Sequence, residues 1–289
     1  MSAQILKGKP VADALCEENR AAAAALREKG VEPTLAVVRV GAREDDLAYE
    51  RGLKKRCESV GINVRIVEED ERITESDLLR GIRLLAEDNT VHAILVFMPL
   101  PKHICAEKVK AAIPSEKDVD GVTDGSMAGV FSGSGCGFAP CTAEAVIKIL
   151  EFYNIPMASR RACVMGRSLV IGKPVSMLLM QRDATVTVCH SKTQNAAEIA
   201  RGCDIIVAAV GRGAAIGAEH FVAGQTVIDV GINFDESGKM CGDADFSAAE
   251  EVVSAITPVP GGVGAVTTAV LASHVVQAAM RAANQEVTL

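Results

Sequence analysis

The sequence lacks an excess of positive charge. Its 289 residues include 30 Lys and Arg against 37 Asp and Glu, and the formal net charge is −7. The basic residues are scattered among acids, whereas proteins that bind nucleic acid or anionic membranes usually cluster them on one surface. We therefore expect no nucleic-acid or membrane partner, and a small-molecule substrate is favoured.

A signal peptide and a membrane span are also not expected. The N-terminal stretch MSAQILKGKPVADAL has no continuous apolar core. We identify no later run of about 20 uncharged apolar residues, the length that crosses a bilayer. These features predict a cytoplasmic protein.

None of the nine cysteines forms a Cys-x-x-Cys pair. Cysteines scattered in this way are more often small core residues than metal ligands or disulfide partners, particularly in a cytosolic protein. No metal site is predicted.

The composition, 49% hydrophobic and 23% charged, is typical of an ordinary globular protein, and the length suits two modest domains. Apolar runs rich in β-branched residues occupy 34–41, 63–68 and 92–98, and helical patterns at about 44–59 and 74–89 separate them. Strands alternating with helices predict an α/β domain with a parallel sheet.

A second series of apolar runs follows a Gly- and Ser-rich stretch, Gly125–Gly137. Its predicted strands are Ala162–Met165, Ala184–Val188, Asp204–Val210, Thr226–Val230 and Ser254–Pro258. Helical spacing predicts a helix over Thr142–Tyr153, with Thr142 as a plausible N-cap, and another over Thr267–Asn284. The sequence therefore predicts a second α/β unit.

The segment GRSLVIGKP, Gly166–Pro174, lies between a predicted strand and a helical stretch. A glycine turn in that place presents backbone N–H groups and a helix N-terminus to which a pyrophosphate can bind. The glycine spacing differs from the usual dinucleotide fingerprint, so an ordinary strand-to-helix turn is an equally good interpretation.

The next strand favours one cofactor over another. NAD-specific folds commonly end this strand with an acid that binds the ribose 2′-hydroxyl. Here the strand runs into His190, Ser191 and Lys192, with no acid. Together with Arg167 these groups could hold a 2′-phosphate, which favours NADP; alternatively, Arg167 is a solvated surface charge.

Six segments together resemble the methylenetetrahydrofolate dehydrogenase/methenyltetrahydrofolate cyclohydrolase family, in order and at suitable spacing. They are PLPKHI (Pro99–Ile104), KDVDG (Lys117–Gly121), GRSLVIGKP, TVTVCHS (Thr185–Ser191), VIDVGIN (Val227–Asn233) and TPVPGGVG (Thr257–Gly264). The resemblance implies an N-terminal α/β folate-binding domain (1–140 plus 267–289), a Rossmann-like NADP-binding domain (141–266), a cleft between them and a homodimer.

The resemblance also implies roles for individual residues. Tyr49 and Asp120 would be catalytic and would bind the tetrahydrofolate substrate, Tyr49 in the folate pocket and Asp120 on the pterin ring. The loop from Pro260 through Gly261 and Gly262 would close beside the substrate. The implied NADP-binding residues are Gly166, Arg167, Ser168, His190, Ser191 and Ile232.

Two positions depart from the family pattern. The family has a Lys four residues after its Tyr, on the same helix face, and a Gln that partners this Lys in the strand before its Pro-Leu-Pro turn. This chain has Leu53 and Phe97 at those places. The neighbouring Lys54 would point away from the Tyr49 face, because a helix turns about 100° per residue. A smaller departure is Ala265-Val266 in place of Pro-Met.

These departures bear on the two reactions differently. Oxidation of 5,10-methylenetetrahydrofolate to 5,10-methenyltetrahydrofolate mainly requires that the reactants be bound and oriented. Hydrolysis of the methenyl product requires water activation and proton transfer, to which a positioned acid/base group contributes about 10²–10⁴-fold. We therefore expect an NADP-dependent dehydrogenase of one-carbon metabolism with cyclohydrolase activity lost or weak. The alternative is a bifunctional enzyme using Lys54 or a water relay.

Two further interpretations stay open at this stage. A folate- or nucleotide-binding regulatory protein without turnover would keep the same motifs. An unrelated Rossmann dehydrogenase, for example of the shikimate type, would share the glycine turn, although the PLPKHI and PGGVG segments argue against it.

Overall fold

The computed structural model describes residues 2–286 and divides into two compact units. The first, here called the three-stranded unit, comprises Ala14–Ala139 and the chain from Thr268 onward. The second, the six-stranded unit, comprises Pro140–Thr267 and the N-terminal segment up to Asp13. The N-terminal segment thus groups with the six-stranded unit, whereas the sequence analysis placed it in the first domain.

Strands and helices alternate along most of the described chain. The strands are β1 (Gln4–Ile5), β2 (Thr34–Val40), β3 (Asn63–Glu69), β4 (Ala93–Val96), β5 (Arg161–Met165), β6 (Thr185–Cys189), β7 (Ile205–Ala208), β8 (Thr226–Asp229), β9 (Asn233–Phe234), β10 (Met240–Cys241) and β11 (Ala255–Ile256). The helices are α1 (Gly8–Glu28), α2 (Glu44–Ser59), α3 (Glu75–Glu87), α4 (Ala106–Ala111), α5 (Asp124–Ser132), α6 (Cys141–Phe152), α7 (Gly172–Met180), α8 (Ala196–Arg201), α9 (Phe246–Glu250) and α10 (Thr267–Glu286).

The three-stranded unit is built on a parallel sheet with strand order β3-β2-β4. Every residue of the central strand β2 is buried, which explains its apolar run Leu35–Val38, and Arg39 is its one charged residue. Side chains of β2 and β4 pack with those of α3 and α4 into one core cluster that includes Val38, Leu78, Ile82 and Val109. Helix α2 buries Leu53 and Cys57.

The six-stranded unit has strand order β1-β11-β8-β7-β5-β6, and each neighbouring pair is parallel. From β5 the chain passes to the edge strand β6 and then returns to β7 on the other side of β5. This reversal is a topological switch point, and in open α/β sheets ligands bind at the carboxyl ends of the strands beside such a point. The predicted α/β fold is confirmed in both units.

Several elements differ from the sequence-based expectations. Strand β1 pairs with β11, and this long-range pairing was not predicted. A helix, α5, occupies much of the Gly- and Ser-rich stretch, because Thr123 caps its N-terminus and Gly133, at φ 69°, ends it. Thr142 is not an N-cap: α6 begins at Cys141, after Pro140.

One stretch near the C-terminus differs from the expectation that no run is long and apolar enough to cross a bilayer. Among the described residues, the stretch Val263–Asn284 is long and apolar enough by composition to cross a membrane. However, 67% of its most apolar window is buried inside the protein, as in the core helix of a globular domain. Length and hydropathy alone are weak grounds for assigning a span.

Differences in cysteine burial give a test of the fold. Cys105 and Cys136 are exposed, Cys241 is partly buried and the other thiols are buried. Burial raises the pKa of Cys57 to about 12, which further lowers its reactivity because the thiolate is the nucleophile. We predict that dithionitrobenzoate labels two thiols of the native protein rapidly and all nine in denaturant. Rapid native labelling of more than three thiols would contradict this packing.

Candidate functional site

A buried ion pair holds α2 against the sheet of the three-stranded unit. The Arg39 side chain is 5% exposed, and its Nε donates to Glu50 Oε2 over 2.9 Å. Its Nη2 lies 3.1 Å from Glu68 Oε1 on β3. These bonds, led by the one to Glu50, raise the pKa of Arg39. The pair fixes the helix at the residue next to Tyr49.

Tyr49 and Phe97 meet at the carboxyl edge of this sheet. Their ring centroids are 5.5 Å apart with an interplanar angle of 66°, an edge-on aromatic contact. Phe97 directly follows β4, and its N–H donates to the Val38 carbonyl over 3.0 Å. Leu53, one helical turn after Tyr49, is 1% exposed. Both departures from the family pattern are thus buried apolar side chains, and Phe97 contacts Tyr49 directly.

Lys54 lies on the solvent side of α2. Its side chain is 49% exposed, and its Nζ is 3.9 Å from Glu58 Oε1, an i,i+4 pair along the helix. A pair of this kind contributes about 0.3–0.5 kcal/mol. This position agrees with the expectation that Lys54 does not take the missing lysine's place on the Tyr49 face.

Asp120 lies half-buried in a turn whose backbone is fixed on both sides. Asp118 forms a parallel bridge with Ile94 of β4, which brings the turn to the same end of the sheet as Phe97. The Asp118 carboxylate accepts backbone N–H bonds from Val122 and Thr123, at 3.1 and 2.8 Å. His274 Nδ1 donates to the Val119 carbonyl over 2.7 Å. Sequence reasoning missed His274, because nothing in the pattern of α10 distinguishes it from a core residue.

Gly166 lies at the switch point of the six-stranded unit. Its φ is 136°, and its N–H donates to the Cys189 carbonyl over 2.8 Å. A Cβ at this position would lie 2.1 Å from the Ala209 carbonyl oxygen. Only glycine therefore fits where the loops after β5, β6 and β7 converge.

Arg167 and Ser191 occupy matching positions after two adjacent parallel strands. Met165 pairs with Cys189, so each residue lies two positions beyond a paired residue. Both side chains are exposed, as is Lys192, and no acidic residue occurs in 166–174 or 190–195. Guanidinium, hydroxyl and ammonium donors without a carboxylate suit a phosphate monoester, so these residues fit the 2′-phosphate of NADP.

Ser168 has a local structural role that the sequence analysis did not foresee. Its Oγ accepts from the Ile171 and Gly172 N–H groups at 3.1 and 3.4 Å, and its carbonyl accepts from Lys173. The first N–H groups of α7, expected to be open to a pyrophosphate, are therefore bonded to Ser168.

Ile232, Pro260, Gly261 and Gly262 all line one pocket of about 320 Å³ within the six-stranded unit. The pocket lies beyond the carboxyl ends of β8 and β11, and Asp229 contributes to its wall. Burial raises the pKa of Asp229 to about 6, although three backbone N–H bonds oppose this shift. The predicted substrate loop and one predicted cofactor residue are therefore neighbours.

The predicted substrate loop is also supported by Gly8. The Gly8 N–H donates to the Gly261 carbonyl over 2.8 Å, and a Cβ on Gly8 would lie 2.1 Å from the Gly262 carbonyl oxygen. The sequence analysis missed this residue. Its only signal was a glycine two residues before Pro10 at a helix start, which is weak without the tertiary contact.

Two family models match the chain. The NAD(P)-binding domain of tetrahydrofolate dehydrogenase/cyclohydrolase matches residues 140–283, and the catalytic domain matches residues 6–120. The chain belongs to the tetrahydrofolate dehydrogenase/cyclohydrolase family. The predictions of the family, of an oxidoreductase and of an NAD(P)-binding domain are confirmed.

Individual relatives match over nearly the full length. The bifunctional protein FolD of Carboxydothermus hydrogenoformans is 50% identical over 278 residues, covering 96% of this chain and 97% of the relative. The crystal structure of the bifunctional FolD dehydrogenase/cyclohydrolase from Campylobacter jejuni has a TM-score of 0.93 and 38% identity, covering 97% and 99% of the two chains. The Trypanosoma brucei dehydrogenase-cyclohydrolase, complexed with NADP and inhibitor, has a TM-score of 0.88 and 34% identity, covering 97% and 98%.

These relatives change one expectation. Loss of cyclohydrolase activity finds no support in these three relatives, because each of them is named as bifunctional or as a dehydrogenase-cyclohydrolase. They fit the bifunctional alternative better. Membership of this family also replaces the interpretation as an unrelated Rossmann dehydrogenase.

The close approach at Gly166 predicts a stability change. We expect Gly166→Ala to lower the free energy of unfolding by about 2 kcal/mol more than Gly224→Ala, because the new Cβ meets backbone at Ala209. Gly224, at φ 93°, has open space around its Cβ position. Gly224→Ala therefore measures the backbone strain alone, which costs about 1–2 kcal/mol. Denaturant unfolding measures both, and equal losses would argue against the contact.

Proposed function

We propose that the chain catalyses the NADP-dependent oxidation of 5,10-methylenetetrahydrofolate and also hydrolyses the methenyl product. The observation that carries the dehydrogenase assignment is the matched position of Arg167 and Ser191 after adjacent strands, with no acid nearby. The cyclohydrolase assignment rests on the full-length similarity to bifunctional relatives.

In this proposal, Arg167 and Ser191 bind the 2′-phosphate of NADP, with His190 and Lys192 beside them. Gly166 lets the backbone of the turn approach the cofactor, and Ile232 contacts its nicotinamide end in the pocket shared with Pro260–Gly262. Bound there, NADP supplies the hydride acceptor. The protein's own contribution is to orient both reactants, which can be worth about 7–11 kcal/mol.

On the folate side, Tyr49 packs against the substrate and Asp120 accepts hydrogen bonds from the pterin ring. The edge-on contact with Phe97 holds the Tyr49 ring, and the Asp118 and His274 bonds fix the turn that carries Asp120. Oxidation requires no proton relay from these residues, since the substrate's own nitrogen lone pairs stabilise the cation that forms.

Hydrolysis places a stronger demand on the site. Water must attack the methenyl carbon and a ring nitrogen must gain a proton, but an apolar Leu53 occupies the family's lysine position. Because Lys54 is exposed and paired with Glu58, we propose that a bound water, rather than Lys54, relays the proton. The hydrolytic rate should consequently be low for the family.

A specific observation favours a second candidate function, a monofunctional dehydrogenase. At the positions of the family's polar pair, this chain has the buried Leu53 and a Phe97 ring that packs against Tyr49. A site of that polarity would favour release of the methenyl product without hydrolysis.

A homodimer and a cytoplasmic location, with no nucleic-acid or membrane partner, complete the proposal.

A paired assay separates the two candidates. We expect the purified protein to reduce NADP with methylenetetrahydrofolate and to remove methenyltetrahydrofolate faster than the spontaneous rate. Lys54→Ala should leave both rates within about twofold, since its charge is solvated and weakly paired. Reduction without enzyme-dependent hydrolysis would establish the monofunctional candidate, and loss of hydrolysis in Lys54→Ala would identify Lys54 as the relay.

Restoring the family's polar pair gives a complementary test. Leu53→Lys combined with Phe97→Gln should raise the hydrolytic rate by about 10²-fold, the lower end for a positioned acid/base group. Leu53→Met with Phe97→Leu is the matched control, because it keeps the surface apolar. The interpretation of the site would be contradicted if the double variant Leu53→Lys, Phe97→Gln is folded and active as a dehydrogenase but hydrolyses no faster than the control.

Cofactor choice can be tested at Arg167. Loss of a charge-assisted hydrogen bond costs about 1.5–3 kcal/mol, so Arg167→Ala should raise KM for NADP by about 10- to 100-fold. KM for NAD, which lacks the 2′-phosphate, should stay nearly constant. Arg160→Ala, an exposed arginine at the other end of β5, serves as the control. An equal rise in KM for NADP and for NAD would contradict the proposed contact between Arg167 and the 2′-phosphate.

A further inference from the structure

Two buried carboxylates in the six-stranded unit have no role in the chemistry described above. Asp229 ends β8 and is 3% exposed, and Asp243 follows β10 and is fully buried. They belong to the segments VIDVGIN and GDAD, Val227–Asn233 and Gly242–Asp245. A buried carboxylate is costly unless hydrogen bonds satisfy its oxygens, so their partners indicate what they hold in place.

Four donors surround the Asp243 carboxylate. Its Oδ2 accepts the N–H groups of Val210 and Gly211 at 2.5 and 2.8 Å. Its Oδ1 accepts the N–H of Arg212 at 3.0 Å and the Nδ2–H of Asn233 at 2.9 Å. Three successive backbone N–H groups therefore converge on one side chain. Neither a hydroxyl nor a carboxamide could accept all four bonds, because only a carboxylate offers two acceptor oxygens.

Asp229 fixes Asp243 in turn. Its Oδ1 accepts the Gly231 and Asp243 N–H groups at 2.9 and 3.0 Å, and its Oδ2 accepts the Ala244 N–H at 2.8 Å. A Cβ on Gly231 would lie 2.3 Å from Asp243 Oδ1, and one on Gly242 would lie 2.0 Å from Asp229 Oδ2. Both motif glycines are thus needed for the close approach of backbone to carboxylate.

The loops that Asp243 joins are those that border the nucleotide site. Val210–Arg212 follows β7 directly after Ala209, whose carbonyl faces Gly166 at the switch point. Ile232 lies between Gly231, bonded to Asp229, and Asn233, bonded to Asp243. One buried carboxylate therefore connects the loop beside the glycine turn with the segment that carries the pocket residue Ile232.

We propose that Asp243 is a positioning residue for NADP binding, which it supports by holding the Val210–Arg212 loop against the Ile232 segment. This inference rests on the proposed NADP-dependent function. Asp243 itself is buried and need not touch the cofactor. Its effect is to fix two binding loops before the ligand binds. Fewer loop conformations are then lost on binding, which lowers the entropic cost of binding.

Asp243→Asn tests the proposal, because a carboxamide keeps the size but points an N–H₂ at groups that are themselves donors. We expect the Kd for NADP to rise by about 10- to 100-fold, while kcat at saturating NADP changes by less than about threefold. In the ligand-free protein, hydrogen exchange of the Val210, Gly211 and Arg212 amides should accelerate at least tenfold, which is readable without any turnover.

Asp235→Asn is the matched control, since Asp235 makes the same kind of backbone bonds, to Ser237 and Lys239, in an exposed turn nearby. It should leave Kd and exchange at 210–212 unchanged. Asn233→Ala removes only one hydrogen bond to Asp243 and serves as the test if Asp243→Asn does not fold. For Asn233→Ala we expect the Kd for NADP to rise by about three- to tenfold.

The outcomes distinguish this inference from the function on which it rests. Wild-type protein that fails to bind NADP would overturn the proposed function. Wild-type binding with an unchanged Kd in Asp243→Asn, or in Asn233→Ala when the first variant is unfolded, would overturn the positioning role alone. A rise in Kd with unaltered amide exchange at 210–212 would also overturn it.

Discussion

The parallel register of the strands is the constraint on which the described sites depend. In each of the two larger sheets, hydrogen-bonded pairing fixes which loops come together at the carboxyl edge. The pairing of Met165 with Cys189 places Arg167 level with Ser191, and the pairing of Met165 with Ala208 brings the next loop against Gly166. A one-residue slip in either pair would turn these side chains to the other face and separate Arg167 from Ser191.

Buried polar groups in both units hold backbone segments in place through ion pairs and hydrogen bonds. In the three-stranded unit, the Arg39–Glu50 pair fixes the helix of Tyr49, and the Asp118 bonds fix the turn of Asp120. In the six-stranded unit, Asp229 and Asp243 fix the loop 210–212 and the segment around Ile232. Hydride transfer requires mainly this kind of preorganisation. At the two positions where the family has its Lys and Gln, this chain instead has the buried apolar residues Leu53 and Phe97.

The sequence predicted the repeating α/β pattern well because buried parallel strands appear as nearly continuous apolar runs, as in Leu35–Val38 of β2 and Ala162–Met165 of β5. It predicted less where partners are distant along the chain. Pairing of β1 with β11 has no local signal, and the Ser168 cap depends on the geometry of the turn. Asp243 illustrates the limit most clearly: its donors come from residues 10 to 33 positions away, so only the fold shows what the carboxylate holds.

In the proposed function, this chain transfers a hydride from the methylene bridge of a folate to NADP. The most direct measurement is label transfer from methylenetetrahydrofolate deuterated at the bridge carbon, with the reduced cofactor analysed by mass spectrometry and NMR. The account predicts one deuterium at C4 of the nicotinamide in each reduced cofactor, none of it exchanged with solvent. Reduced cofactor without the label, or no reduction by a protein that binds both ligands, would contradict it.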